Sequence, residues 1–290
     1  MLSTILFIYS FKMNKTYEQF ELEASAYDQI LEDYKANGKV FVDPHFHPQK
    51  KIHETNYEFI DSEHKWIRID ELYKAPLFKK ELISPEQIKL GELGDYYFLE
   101  TLARVAKQPD LVPLLFDRSP NYVLGQVEDS INIQSGAVVI YFYAFGRRTP
   151  VLIDTLIPCQ KYTTFPCFSH PDETNMSPWF CLVEKAFAKL MGSYSNIIHF
   201  TPIESIYHLF GFYPTLKYLR KLTKRGKSKK MSPLQRLLKY RDQKAVMTVS
   251  INPQRLPETV SFEDVNRNKL NPGEEYLILD IKEADDKHFI

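Results

Sequence analysis

The sequence predicts an α+β protein, on three observations. Residues 96–106 and 179–191 carry apolar side chains at helical spacing. Between them, residues 137–145 (AVVIYFYAF) and 151–157 (VLIDTLI) are the strongest strand signals, with Gly146 and Pro150 punctuating a buried hairpin. Two more strand signals, 246–251 (VMTVSI) and 276–281 (YLILDI), follow near the end of the chain.

The bulk composition narrows the class. With 44% hydrophobic and 26% charged residues in 290, the chain has the make-up of a globular protein with a sizeable core, not of a disordered or membrane one. A net charge of zero gives no global pull toward nucleic acid or lipid. The three cysteines, Cys159, Cys167 and Cys181, show no CxxC spacing, so neither a zinc site nor a redox dithiol is signalled. They read as buried or idle thiols of a reducing compartment, and the expected location is cytoplasmic. Residues 2–11 (LSTILFIYSF) form an apolar run like a short signal h-region. The run lacks a basic n-region and a cleavage site, and it is too short to span a bilayer. Met13, just downstream, is a second candidate initiator.

Residues 16–34 read as a helix, with Phe20, Ala24, Tyr27, Leu31 and Tyr34 on one side and Gly38 as its stop. Residues 40–48 read as extended, because Pro44 and Pro48 bias their predecessors away from helix. His45, His47 and His53 have no carboxylate or cysteine partner at ligand spacing and read as polar surface, not a metal site. Residues 66–72 (WIRIDEL) alternate apolar and polar, as an anchoring strand or turn would.

Residues 91–106 (GELGDYYFLETLARVA) read as a glycine turn running into a helix, with Asp95 as its N-cap. Leu99, Leu102, Ala103 and Ala106 define the buried face. Such a turn suits a cysteine nucleophile, because a helix N-terminus lowers a thiol's pKa. Here the first helical residue is Tyr96, a phenol. Residues 179–191 read as an amphipathic helix with Trp179, Leu182, Val183, Ala186, Phe187 and Leu190 inward and Gly192 as the stop.

The charge then segregates. Residues 205–241 contain no Asp or Glu but carry Lys217, Arg220, Lys221, Lys224, Arg225, Lys227, Lys229, Lys230, Arg236, Lys239 and Arg241. The rest of the chain holds 26 basic residues against 37 acidic ones. The centre of the run, KRGKSKKMSP, reads as a solvated loop between two short helices, with Phe210, Phe212, Tyr213 and Tyr218 as helix packing.

Six segments in order resemble the calpain-type, papain-like (family C2) cysteine protease core over about residues 40–281. FVDPHF resembles F-x-D-x-x-F, and WIRIDEL resembles W-K-R-P-x-E-I. LGELGDYYFL resembles Q-G-x-L-G-D-C-W-F-L, and the hairpin ends like V-x-I-D-x-x-L-P. SPWFCLVEKAFAKLMGSY resembles F-W-x-x-L-L-E-K-A-Y-A-K-L-x-G-x-Y, and PGEEYLILDI resembles G-H-A-Y-S-V-x-D-V. The resemblance implies a helix-rich first lobe and an antiparallel β-rich second lobe around a peptide groove. It divides the chain into an N-terminal extension and helix (1–39), a first lobe (40–200) and a second lobe (201–290) with a basic insertion at 217–241.

The same resemblance implies lost catalysis. The nucleophile position holds Tyr96, the oxyanion glutamine position Leu90, and the general-base histidine position Glu274. The orienting asparagine falls beyond Ile290, so the second lobe is expected to be C-terminally truncated, with a sheet edge along residues 276–281 open to a partner or to the chain's own terminus. Carboxylates that hold calcium in the family correspond to Gln87 and Ser177. No metal or other cofactor is expected. Tyr96 and Glu274 are read as a cleft-filling hydrogen bond in preference to an acid/base pair, and Cys167 with His170 as too close in sequence for a dyad.

The expected function is that of a non-catalytic pseudoprotease acting as a structural or binding module. Its basic residues Lys217, Arg220, Lys221, Lys224, Arg225, Lys227, Lys229 and Lys230 would face an acidic partner, such as tubulin or another cytoskeletal protein in a microtubule or axonemal assembly. Nucleic acid is disfavoured and no membrane span is expected. The alternative is a hydrolase, active or regulatory, that binds peptide through non-standard residues.

Overall fold

The structure, a computed structural model, describes residues 4–10, 26–30, 32–34, 36–46, 64–77, 80–116, 135–144, 146–174, 176–211, 213–219, 233–243, 245, 247–251, 271–278, 280–284 and 287–289. In chain order the strands are β1 (Thr4–Ser10), β2 (His64–Arg68), β3 (Ala137–Ala144), β4 (Arg147–Asp154), β5 (Leu156–Gln160), β6 (Tyr213–Leu219), β7 (Met247–Ile251), β8 (Glu275–Leu277), β9 (Lys282–Ala284) and β10 (Lys287–Phe289). The longer helices are α1 (Tyr96–Ala106), α2 (Trp179–Met191), α3 (Pro202–Phe210) and α4 (Pro233–Asp242). Every strand pair among the described residues is antiparallel, and the fold is α+β. The chain forms a larger unit, Met13–Phe200 with His208–Gly211, and a smaller one, Met1–Lys12, Thr201–Tyr207 and Phe212–Ile290.

In the larger unit the hairpin of β3 and β4 forms as read, with Ala137 opposite Asp154 and Ala144 opposite Arg147. WIRIDEL divides into β2, which pairs with β5, and a single helical turn at Ile69–Leu72. At the core, α2 differs from the amphipathic reading. Ten consecutive residues from Trp179 to Ala188 are buried, Glu184 and Lys185 included. A helix buried all round belongs inside a domain, so its polar side chains need partners there. Phe187 stacks on Phe98 of α1 with ring centroids 4.5 Å apart, and packs against Phe142 of β3. Of the helix read at 16–34, residues 26–30 and 32–34 are helical, and 16–25 and 31 lie outside the described residues.

Lys185 and Lys189 of α2 find their partners in Asp154 and Asp43. The Lys185 ammonium pairs with Asp154, both fully buried, and donates to the Leu156 carbonyl at 2.6 Å. Lys189 donates to Asp43 at 2.5 Å and to the Leu152 carbonyl at 2.6 Å. Asp154 accepts from the Asp43 and Leu156 amides at 2.8 and 2.9 Å, and Asp43 accepts from the His45 and Phe46 amides. Two cations and two carboxylates thus tie the 43–46 turn and the β4–β5 corner to one helix.

In the smaller unit the sheet runs β6-β1-β7-β8. Three readings change here. Residues 2–11, read as an isolated apolar run in an N-terminal extension, supply β1, which pairs on both sides and lies between β6 and β7. An apolar run of seven residues has the length of a buried strand. The segment before KRGKSKKMSP is strand β6, not a helix, so Tyr213 and Tyr218 sit in a ladder opposite Ser10 and Ile5. Tyr213 begins a strand because Gly211, at φ 70, ends α3 and Pro214 disfavours helix at its predecessor. The strand read at 276–281 is Glu275–Leu277, which among the described residues ends the sheet, and β9 and β10 pair with each other. Leu237, Met247, Ile278 and Ile281 form this unit's buried cluster.

Candidate functional site

The turn before α1 is held by close backbone contact. Residue 89 bridges to 170, with the Lys89 amide donating to the His170 carbonyl at 3.0 Å, and the Glu92 amide donates to the Cys167 carbonyl at 2.7 Å. A Cβ at Gly91 would fall 2.3 Å from the Phe168 carbonyl oxygen, so only glycine fits there. Gly94 turns the chain at φ 80 and delivers Asp95 and Tyr96 to the helix start.

Tyr96 is half exposed, with its ring 4.3 Å from that of Tyr97, and Leu90 is half exposed as well. Leu90 has no hydrogen-bond donor on its side chain, and Tyr96 offers a phenol where a thiolate would need a cysteine. In the smaller unit Glu274 accepts hydrogen bonds from the Tyr276 hydroxyl at 2.9 Å and the Asn271 amide nitrogen at 3.0 Å.

Asp95 corrects the capping expectation. It occupies the N-cap position of α1, but its side chain makes no cap bond and is buried against Glu184 of α2. Burial raises Asp95 to about 6. Burial, and then the adjacent Asp95 charge, raises Glu184 well above the usual carboxylate range. With both groups ionised, neither Asp95 oxygen has a hydrogen-bond partner. A protonated Glu184 supplies one. Its carboxyl also accepts from the Ser169 hydroxyl at 2.6 Å and the Ser169 amide at 3.2 Å.

All three cysteines are free and buried. Burial pushes the Cys159 and Cys167 thiols up to about 12 and Cys181 well above the ordinary thiol value. A thiol at such values is protonated at neutral pH and is a poor nucleophile. His170 places its Nδ1 3.0 Å from the Phe168 carbonyl and its ring edge-on to Phe165.

The Gln87 side-chain nitrogen donates to the Leu82 carbonyl and the Ser177 hydroxyl to the Leu77 carbonyl, each at 2.5 Å. His45 and the basic Lys217 lie within described elements; His47, His53, Arg220, Lys221, Lys224, Arg225, Lys227, Lys229 and Lys230 lie outside the described residues.

The structure also gathers a group that sequence spacing concealed. His64 at the start of β2, Glu92 in the turn and Cys167 in the loop after β5 place their ligand atoms within 4.8 Å of one another. Separations of 28 and 75 residues in the chain leave no local pattern to read. The fused signal of antiparallel pairing, His64 opposite Gln160, exists only in the folded chain.

The model of the calpain family of cysteine proteases matches residues 41–289. Among curated proteins, Calpain-A of Drosophila melanogaster is 29% identical over 179 residues, 60% of this chain and 20% of that protein. Calpain-13 of Rattus norvegicus is 33% identical over 135 residues, 46% of this chain and 18% of that protein. Calpain of Schistosoma mansoni is 26% identical over 206 residues, 68% of this chain and 25% of that protein. The chain therefore spans about a fifth to a quarter of the length of these relatives.

Proposed function

The chain belongs to the calpain family of cysteine proteases, and we propose that it serves there as a non-catalytic structural or binding module. The observation that carries this reading is the phenol of Tyr96 at the head of α1, where the family resemblance places the nucleophilic thiol. Three buried thiols with raised pKa values support it, because none is poised to replace that nucleophile. A missing nucleophile removes most of the acceleration whatever the other groups do.

The test is turnover of casein and a fluorogenic peptide, run beside labelling with an acyl-cysteine trap. The expected result is no hydrolysis above buffer and no stoichiometric labelling. Hydrolysis abolished by one substitution in this chain would overturn the reading.

The module's partner follows from charge. The basic residues 217–241, set in a chain otherwise acidic, favour an acidic protein surface, and a microtubule is the surface to assay. Co-sedimentation should weaken with salt and be lost on charge reversal at Lys227, Lys229 and Lys230. Co-sedimentation indifferent to both would remove the cytoskeletal part of the proposal and leave the non-catalytic part standing.

A further inference from the structure

We propose that His64, Glu92 and Cys167 form a three-ligand site for a zinc-class divalent cation. The proposal goes beyond the module reading and does not depend on it. Their ligand atoms lie within 4.8 Å of one another. Around a tetrahedral zinc, with bonds of about 2.0–2.3 Å, ligand atoms stand about 3.3–3.8 Å apart. The present spacing therefore needs only side-chain rotation to close on an ion.

The backbone beneath the three side chains is already set. Glu92 is fixed to the Cys167 carbonyl by its own amide at 2.7 Å, and Gly91 permits that approach by having no side chain. Cys167 donates its own amide to the Pro158 carbonyl at 2.9 Å, on β5. His64 stands opposite Gln160 of the same strand, and the Gln160 side chain donates to the Glu92 carboxylate at 3.3 Å. One strand thus aligns all three ligands, and Gln160 orients the carboxylate as an outer partner of a metal site does.

The thiol distinguishes this cluster from an ordinary surface group. Cys159 donates to the Ile157 carbonyl and Cys181 to the Ser169 carbonyl, whereas the Cys167 sulfur makes no hydrogen bond among the described residues. It lies 1% exposed beneath the exposed Glu92 carboxylate and the half-buried His64 ring. Sulfur, imidazole and carboxylate together suit zinc and disfavour calcium or magnesium, which take oxygen ligands. A bound cation deprotonates a coordinating thiol outright, so burial of the free thiol is no obstacle. Three protein ligands leave the fourth position for water. The ion would join three segments, β2, the turn before α1 and the loop after β5.

The experiment uses the full chain, stripped with chelator and titrated with cobalt(II) and then zinc. The expected result is one cobalt per chain, with the charge-transfer band of a thiolate–cobalt bond and the intense visible bands of a four-coordinate ion, both bleached by zinc. Cys167→Ser should abolish the charge-transfer band, while Cys159→Ala keeps it. Because Cys167 is buried and its replacement could disturb folding, His64→Gln and Glu92→Gln provide the second arm. Each should weaken zinc binding about tenfold or more while leaving the circular dichroism spectrum unchanged. Absence of the charge-transfer band in the native chain, its survival in Cys167→Ser, or unaltered zinc affinity in both His64→Gln and Glu92→Gln would overturn the site.

Discussion

Two neighbouring residues of α2 show opposite ways of burying charge. Lys185 meets the Asp154 carboxylate and a backbone carbonyl, and it belongs to a set of two lysines and two aspartates. Glu184, one position earlier, meets another carboxyl, Asp95, at the head of α1. The first arrangement is neutral with both partners ionised. The second avoids repulsion only by keeping a proton, so its stability falls as pH rises. Burial lowers the Lys185 ammonium and gives the first arrangement a response of the other sign in the alkaline range. Charge burial anchors the hairpin side of the helix through ion pairs and the α1 side through a carboxyl pair that holds a proton.

The comparison is broken most severely at Lys185. Lys185→Met removes the cation and leaves Asp154 buried beside Asp43, which should cost about 3–5 kcal/mol. Urea unfolding measures it, and a loss under about 1 kcal/mol would mean the network is not what holds the corner.

The carboxyl pair predicts a stability that falls as pH rises. Asp95 is raised from an ordinary 3.8 to about 6, so the folded protein holds its proton more tightly than the unfolded chain does. That contribution is fully present below the unfolded value and is lost as pH rises through about 6, a difference of roughly 3 kcal/mol. Glu184→Gln replaces the shared proton with an amide donor and should flatten this part of the stability profile between pH 4 and 7. Parallel profiles for the two proteins would show that the carboxyls do not share a proton.

Gly91→Ala tests the turn that leads into α1. Its new methyl group meets the backbone of Phe168, which cannot rotate away, and overpacking of this kind costs about 1–3 kcal/mol. Thermal unfolding should register the loss, and an unchanged midpoint would show that the 167–168 loop yields freely. Tyr96→Ala should have the smallest effect, within about 0.5 kcal/mol, because that ring is half exposed and touches its helix neighbour. A much larger loss would give Tyr96 a packing role beyond its contact with Tyr97.

Much of the fold was legible because its signals are local. The apolar run at 137–144, the turn at Gly146 and the return to Asp154 specify a hairpin within 18 residues. The motif residues Asp43, Asp154, Lys185 and Lys189 were readable as a family pattern, and the structure gives the physical reason for their company: each needs the others to be buried. Asp95 illustrates the limit. Its residue type and position both favour an N-cap, and what overrides them is Glu184, 89 positions away. The strand β1 was misjudged for a related reason, since an apolar run of that length carries no mark of which strands will flank it.

The sequence by itself determined the α+β class, the hairpin, the two long helices of the larger unit, and the tyrosine at the head of α1. Those features depend on side-chain periodicity, turn residues and identity at a single position, all of which are properties of short stretches. Tertiary structure alone decided which buried charges meet an opposite partner and which meet their own kind. It also decided that His64, Glu92 and Cys167 converge, because strand register and a glycine-sized gap join residues that the chain keeps far apart.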